Sequence, residues 1–184
     1  EMTVTEAVRA APRNTTVLVK SGRYLVTNLT IEKPLTLRGK SGGDVLLEGE
    51  GNGSVIEVNA PRVAVSNLGI TGVGDEVSVE SIPKSERGEW DYRVKMGYGY
   101  GDSGVELDSS NGSLVTNVRI DTPSNGVLFR DSYGAVVNGI RVNGTEEWND
   151  GFMGVMVMES RVVVQNSSFY GGRDAVYTHE ADGL

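Results

Sequence analysis

Val115-Thr116-Asn117-Val118-Arg119-Ile120 is one of five copies of a single short frame. The others are Val26-x-Asn28-Leu29-x-Ile31, Val65-x-Asn67-Leu68-x-Ile70, Val137-x-Gly139-Ile140-x-Val142 and Val164-x-Asn166-Ser167-x-Phe169. A recurring unit constrains the whole fold, so it is read before any single element. Inward side chains of a strand recur every second residue. Here they stand two before the Asn or Gly, then one and three after it. The alternation slips at the middle residue, so the chain bends there. Asn and Gly accept a left-handed backbone at least cost. The frame therefore reads as strand, one-residue corner, strand.

A second landmark precedes the corners, an apolar-x-apolar pair at Val17/Val19, Ile56/Val58, Val105/Leu107, Val127/Phe129 and Val155/Val157. Polar turns follow these pairs, among them Lys20-Ser21-Gly22, Asp108-Ser109-Ser110-Asn111-Gly112 and Arg130-Asp131-Ser132-Tyr133-Gly134. Asp108 and Asp131 read as equivalent turn positions in successive units. Val105 to Val127 is 22 residues and Val127 to Val155 is 28. Three short strands per unit of that length is the spacing of a parallel β-helix. The expected fold is all-β: a right-handed parallel β-helix, or solenoid, in which corner asparagines ladder from coil to coil.

Residues 1–184 read as a single domain. Thr3-Val4-Thr5-Glu6 has capping-box spacing, and Val4, Ala7, Val8 and Ala11 share one face, so residues 3–11 are expected to form a short helix capping the first coil. Leu35-Thr36-Leu37 and Val45-Leu46-Leu47 read as two further strands. Residues 72–103 interrupt the repeat as a long lateral insertion, and Thr145 to Phe152 as a shorter bulge. Asp174-Ala175-Val176-Tyr177 opens another coil that reaches no visible cap by Leu184, which predicts an N-terminal fragment of a longer β-helix.

Composition narrows the function. Gly is 25 of 184 residues and only 7% are aromatic, which suits strands and tight turns. The net charge of −8 disfavours nucleic-acid backbones and anionic membrane surfaces. The absence of cysteine excludes disulfides and Cys-based metal sites. No run approaches the roughly 20 apolar residues of a membrane-spanning helix. Asn-x-Ser/Thr triplets start at Asn14, Asn28, Asn52, Asn111, Asn143 and Asn166. Asn28 and Asn166, at corners, are expected to be shielded and bare.

Three places carry candidate chemistry. In Met153-Gly154-Val155-Met156-Val157-Met158, inward valines would turn Met156 and Met158 outward together, as exposed thioethers. Thioether sulfur and imidazole both suit copper, and His179, the sole histidine, falls one coil further on. Two readings stay open: Met153, Met156, Met158 and His179 as copper ligands, or ordinary packing beneath a covering loop. The insertion gathers Trp90, Tyr92, Tyr98 and Tyr100 among glycines, the composition of a binding loop, with Trp148 in the nearby bulge. Glycan cleavage needs paired carboxylates on one lateral face. The aspartates at 108, 131, 150 and 174 show no such pairing in the sequence, which argues against catalysis. No phosphate-loop spacing and no Ser-His-Asp arrangement is present.

Three segments also resemble the NosD family of β-helix proteins: Lys20-Ser-Gly-Arg-Tyr24 with Leu29-Thr-Ile-Glu-Lys-Pro-Leu-Thr-Leu-Arg-Gly39; Gly53-Ser-Val-Ile-Glu-Val58 with Val63-Ala-Val-Ser-Asn-Leu-Gly-Ile70; and Val162-Val-Val-Gln-Asn166 with Gly171-Gly-Arg-Asp-Ala-Val-Tyr177. The resemblance implies a periplasmic or extracellular, non-enzymatic accessory in maturing the copper site of nitrous oxide reductase. Its implied partners are an ABC-type permease and ATPase and a copper enzyme or copper chaperone. The alternatives are a carbohydrate-binding or cell-surface β-helix, marked by an exposed aromatic platform, and a polysaccharide lyase or hydrolase.

Overall fold

The computed structural model describes residues 2–27, 29–40, 44–74, 101–144 and 153–181. One helix, α1 (Val4–Ala10), precedes sixteen strands. The strands are β1 (Thr16–Val19), β2 (Gly22–Leu25), β3 (Leu29–Ile31), β4 (Thr36–Gly39), β5 (Val45–Glu48), β6 (Ile56–Val58), β7 (Ala64–Thr71) and β8 (Ser103–Asp108). They continue as β9 (Leu114–Asp121), β10 (Asn125–Arg130), β11 (Tyr133–Asn138), β12 (Arg141–Asn143), β13 (Met153–Met158), β14 (Arg161–Gln165), β15 (Ser168–Tyr170) and β16 (Asp174–His179). All pairings between them are parallel.

The molecule is a right-handed parallel β-helix with three faces. One face stacks β3, β6, β8, β10, β13 and β16 into a six-stranded sheet. The other two stack as β1-β4-β7-β9-β11-β14 and as β2-β5 and β12-β15, joined into one ten-stranded sheet by β7 and β9, which run through the bend. The inward column is continuous: Ile31, Val58, Leu107, Phe129 and Val157 on one face and Leu37, Val65, Val115 and Val137 on another are buried. This burial of Val, Leu and Ile is the main drive for stacking.

The corners sit where the frame places them. Asn67, Asn117 and Asn166 have φ of 56, 52 and 51°, and Gly139 has 67°. The amide ladder is partial. Asn117 donates to Asn67 at 3.4 Å, but Asn166 skips Gly139 and donates to Asn138 at 2.9 Å. Gly139 has no amide to offer, and a Cβ there would stand 2.8 Å from the Asn117 side-chain oxygen. Asn166 is exposed rather than shielded, although its amide nitrogen is engaged.

The first copy of the frame is not a corner. Leu29 and Ile31 pair with Ile56 and Val58 and belong to the six-stranded sheet. The counterpart of Val65-x-Asn67 is Leu37-x-Gly39, and that of Leu37 is Val17. Val17/Val19 therefore lies one strand out of phase with the other apolar pairs. In the first two coils the bend is a multi-residue turn between separate strands, β1 to β2 and β4 to β5, so a one-residue signature misplaces it. Asn28 lies outside the described residues.

A second line of bends follows the six-stranded sheet. Ser109, Asp131, Glu159 and Glu180 have φ of 51, 45, 45 and 49°. Asp131 thus aligns with Ser109, and Asp108 aligns with Arg130 in the strand before it, so the two aspartates are not equivalent. A left-handed backbone costs a non-glycine residue on the order of 1 kcal/mol. The next residue offsets it. Ser110, Ser132 and Ser160 are each 0% exposed and form a ladder, the Ser110 N–H donating to Ser132 Oγ at 3.0 Å and the Ser132 N–H to Ser160 Oγ at 2.9 Å.

The capping helix is confirmed. Thr3 is its N-cap, with both capping-box bonds to Glu6, and Val4 and Val8 are buried against the first coil. The insertion ends earlier than expected, because Ser103 is already a residue of β8.

Candidate functional site

The outer face of the six-stranded sheet carries the chemistry. Each strand there reads apolar-x-apolar with the flanking residues inward, so the middle residues project outward in a column parallel to the helix axis. The register aligns Thr30 with Glu57, Glu57 with Glu106, Glu106 with Leu128, Leu128 with Met156 and Met156 with Tyr177. A second column, two residues on, aligns Asp108 with Arg130, Arg130 with Met158 and Met158 with His179. Neighbouring strands stand about 4.8 Å apart, so residues in register are direct side-chain neighbours.

At the N-terminal end of this face two glutamates meet. Glu57 and Glu106 are in register on β6 and β8, both half-buried. Burial pushes the Glu57 carboxyl above its ordinary value of 4.5, the Glu106 charge pushes it further, a Thr30 hydrogen bond opposes the shift, and Asp102 adds to it. Glu106 has different company. Its Oε1 is ion-paired with the Arg130 guanidinium, and its Oε2 accepts a 2.8 Å hydrogen bond from Ser54 Oγ. Asp102 is held at the edge of the site by the Gly53 N–H at 3.0 Å. One carboxyl therefore sits where charge is disfavoured, and the other faces a cation.

The expectation that no carboxylate pair exists on a lateral face is corrected here. It followed the aspartates of the turns and passed over the glutamates of the strands. The signal was present in Ile56-Glu57-Val58 and Val105-Glu106-Leu107, two apolar-x-apolar landmarks with the same acid at the middle.

Toward the C-terminal end the same face turns apolar. Met153, Met156 and Met158 form a cluster with Leu128 and the partly buried Tyr177, separate from the solenoid core. The sequence reading placed Met156 and Met158 outward and His179 beside them, and the register does so. It expected them exposed, and that is corrected: Met153, Met156 and Met158 are 0, 1 and 6% exposed. His179 Nε2 stands 3.8 Å from a Glu180 carboxylate oxygen. Among the described residues, no group of three or more His, Asp or Glu gathers to hold a metal ion. Trp90, Tyr92, Tyr98, Tyr100 and Trp148 lie outside the described residues.

A column of small residues flanks the site. Gly104, Gly126 and Gly154 stack at the start of β8, β10 and β13, with Ala175 next in line. A Cβ at any of them would press on an inward side chain, Ile120, Val142 or Phe169 respectively, and on the backbone of the next coil. Their spacing, Gly-Val-x-apolar in each strand, is visible in the sequence.

No family model matches the chain, and no curated protein matches it. The resemblance to the NosD family is thus carried by the quoted segments alone. Two solved structures are similar in fold. One is a candidate glycosyl hydrolase from Parabacteroides merdae ATCC 43184, 14% identical, with a TM-score of 0.48, covering 90% of this chain and 81% of its own. The other is a pectin methylesterase variant in complex with a hexasaccharide, 16% identical, with a TM-score of 0.52 over 89% of this chain. The chain spans 62% of the length of that esterase. The expectation that the chain is not an enzyme is overturned. The fold is one that a carbohydrate esterase uses, and the outer face carries the paired carboxylates whose supposed absence supported that expectation.

Proposed function

We propose that the chain is a carbohydrate-active β-helix that hydrolyses glycosidic bonds on the outer face of its six-stranded sheet. The observation that carries this is the register pairing of Glu57 with Glu106, in environments of opposite tendency. Glycoside hydrolysis uses one carboxyl that holds a proton and one carboxylate, and separated environments divide the roles. Glu57, with its raised proton affinity, is the acid. Glu106, steadied by Arg130 and Ser54, is the carboxylate.

Adjacent strands set the stems of the two side chains about 4.8 Å apart, closer to the spacing of direct-attack pairs (about 5–5.5 Å) than to that of pairs separated by a water. In the proposed sequence Glu106 attacks the anomeric carbon while Glu57 protonates the leaving glycosidic oxygen. Glu57 then takes a proton from water, whose oxygen displaces Glu106 from the sugar. The anomeric configuration is retained.

The test is release of reducing ends from a panel of neutral and acidic polysaccharides. Cleavage by the native chain, falling about 10³-fold in Glu57→Gln and in Glu106→Gln, is the expected result. No cleavage across the panel, or undiminished cleavage by Glu57→Gln, overturns the reading.

A further inference from the structure

The other end of the outer face carries its own chemistry, and the inference drawn from it does not depend on glycan cleavage. Three of the four buried members of the outer cluster are methionine. The solenoid core, by contrast, is built from Val, Leu, Ile, Ala and Phe and contains no methionine among the described residues. Flexible gap-filling is the usual use of Met in a core. A chain that fills its whole core without Met and then gathers three on one short strand is selecting for sulfur, not for volume. The single histidine of the chain arrives at the same place, in register with Met158.

We propose that Met153, Met156, Met158 and His179 form a binding site for a soft monovalent metal ion, Cu(I). Thioether sulfur prefers Cu(I) to the harder divalent ions, and imidazole is a ligand it shares with them. Met156 and Met158 leave the same side of β13, about 6.6 Å apart along the strand, and His179 lies about 4.8 Å from Met158 across to β16. Those separations are within the reach of flexible Met side chains converging on one ion. The Glu180 carboxylate, 3.8 Å from His179 Nε2, faces one ring nitrogen, which leaves Nδ1 to face the sulfurs. A carboxylate behind a ligating imidazole fixes its orientation and raises its basicity. Near-complete burial of the sulfurs excludes water, which favours the low-coordinate monovalent ion over hydrated divalent ones. The four residues supply two chemistries that no other described part of the molecule brings together.

The test uses the whole chain under anaerobic conditions, with Cu(I) titrated against a chromophoric Cu(I) chelator and Ag(I) as a redox-inert second probe. One equivalent withdrawn from the chelator, with affinity falling by about 100-fold in the Met156→Leu/Met158→Leu variant and in His179→Gln, supports the site. Leu keeps the volume of Met, so the paired variant should unfold at nearly the same temperature as the native chain in the absence of metal. Met2→Leu, at an exposed position, serves as the control and should bind as the native chain does. Failure of the native chain to compete, or equal affinity in the native and Leu variants, overturns the proposal. So does a loss of binding in the Met2 control as large as in the paired variant.

Discussion

A carboxyl group whose charge is opposed by its surroundings lowers stability wherever it ionises, and Glu57 is such a group. Its proton affinity is raised first by burial and then by Glu106, its neighbour in register. Below 4.5 the folded and unfolded chains both hold the proton, and the residue is neutral in effect. As pH rises past that value the unfolded chain releases the proton while the folded chain retains it, so the unfolded state gains and stability falls. Glu57→Gln removes the conflict and keeps the shape. We expect it to raise the unfolding temperature at about pH 7 by on the order of 2 °C, and to leave it unchanged at about pH 4. The gain is small because solvent screens the exposed side of the residue. Thermal unfolding of both chains at the two pH values checks this. A gain that persists in acid would show that packing, not charge, separates them. Coupled with lost cleavage, a gain in stability is what a residue kept for chemistry should show.

At the scale of the element, the turns after the six-stranded sheet are the most exacting part of the design. Each places a non-glycine residue in a left-handed conformation, and each is secured by a serine whose hydroxyl replaces a backbone partner in the adjacent coil. Ser132 is central: it accepts from Ser110, its own N–H donates to Ser160, and its hydroxyl donates to the Arg130 carbonyl at 2.8 Å. Ser132→Ala leaves the buried Ser110 N–H without its acceptor. The expected loss is about 1–3 kcal/mol, read as a lower urea midpoint with an unchanged slope. An unchanged midpoint would mean that the ladder adds nothing to the turn. This element also shows where sequence reading reaches its limit. Arg130-Asp131-Ser132-Tyr133-Gly134 was legible as a polar turn, because its composition says so. That its serine is buried was not, since burial comes from coils above and below. The one-residue corners at Asn67, Asn117, Gly139 and Asn166 were legible for the opposite reason: each breaks the alternation of its own strand. Glu57 and Glu106 escaped notice because their pairing exists only in the register between strands distant in sequence.

At the scale of the whole molecule, each coil touches only its neighbours, so stability and function are distributed along an axis instead of around a centre. The outer face of the six-stranded sheet makes the division concrete. Carboxylates occupy it at β6 and β8, and thioethers at β13, with β10 between them contributing Arg130 to one side and Leu128 to the other. Damage at one end should therefore stay at that end. Gly154 offers the test. A Cβ there would lie 2.5 Å from the Ala175 carbonyl oxygen and press on the Phe169 ring, so Gly154→Ala must push the last coil away from the one before it. We expect amides of β13 to β16 to lose protection by about one order of magnitude or more in hydrogen exchange, whereas those of β3, β6 and β8 change little. Uniform loss across all strands would instead mark a single cooperative unit. The nearest-neighbour picture makes a functional demand as well. Glycan cleavage at Glu57 and Glu106 should survive Gly154→Ala, and Cu(I) binding at Met156, Met158 and His179 should weaken, because β13 carries both the substituted glycine and the sulfurs. Two activities that fail separately under one substitution would establish that the face holds two sites on one scaffold.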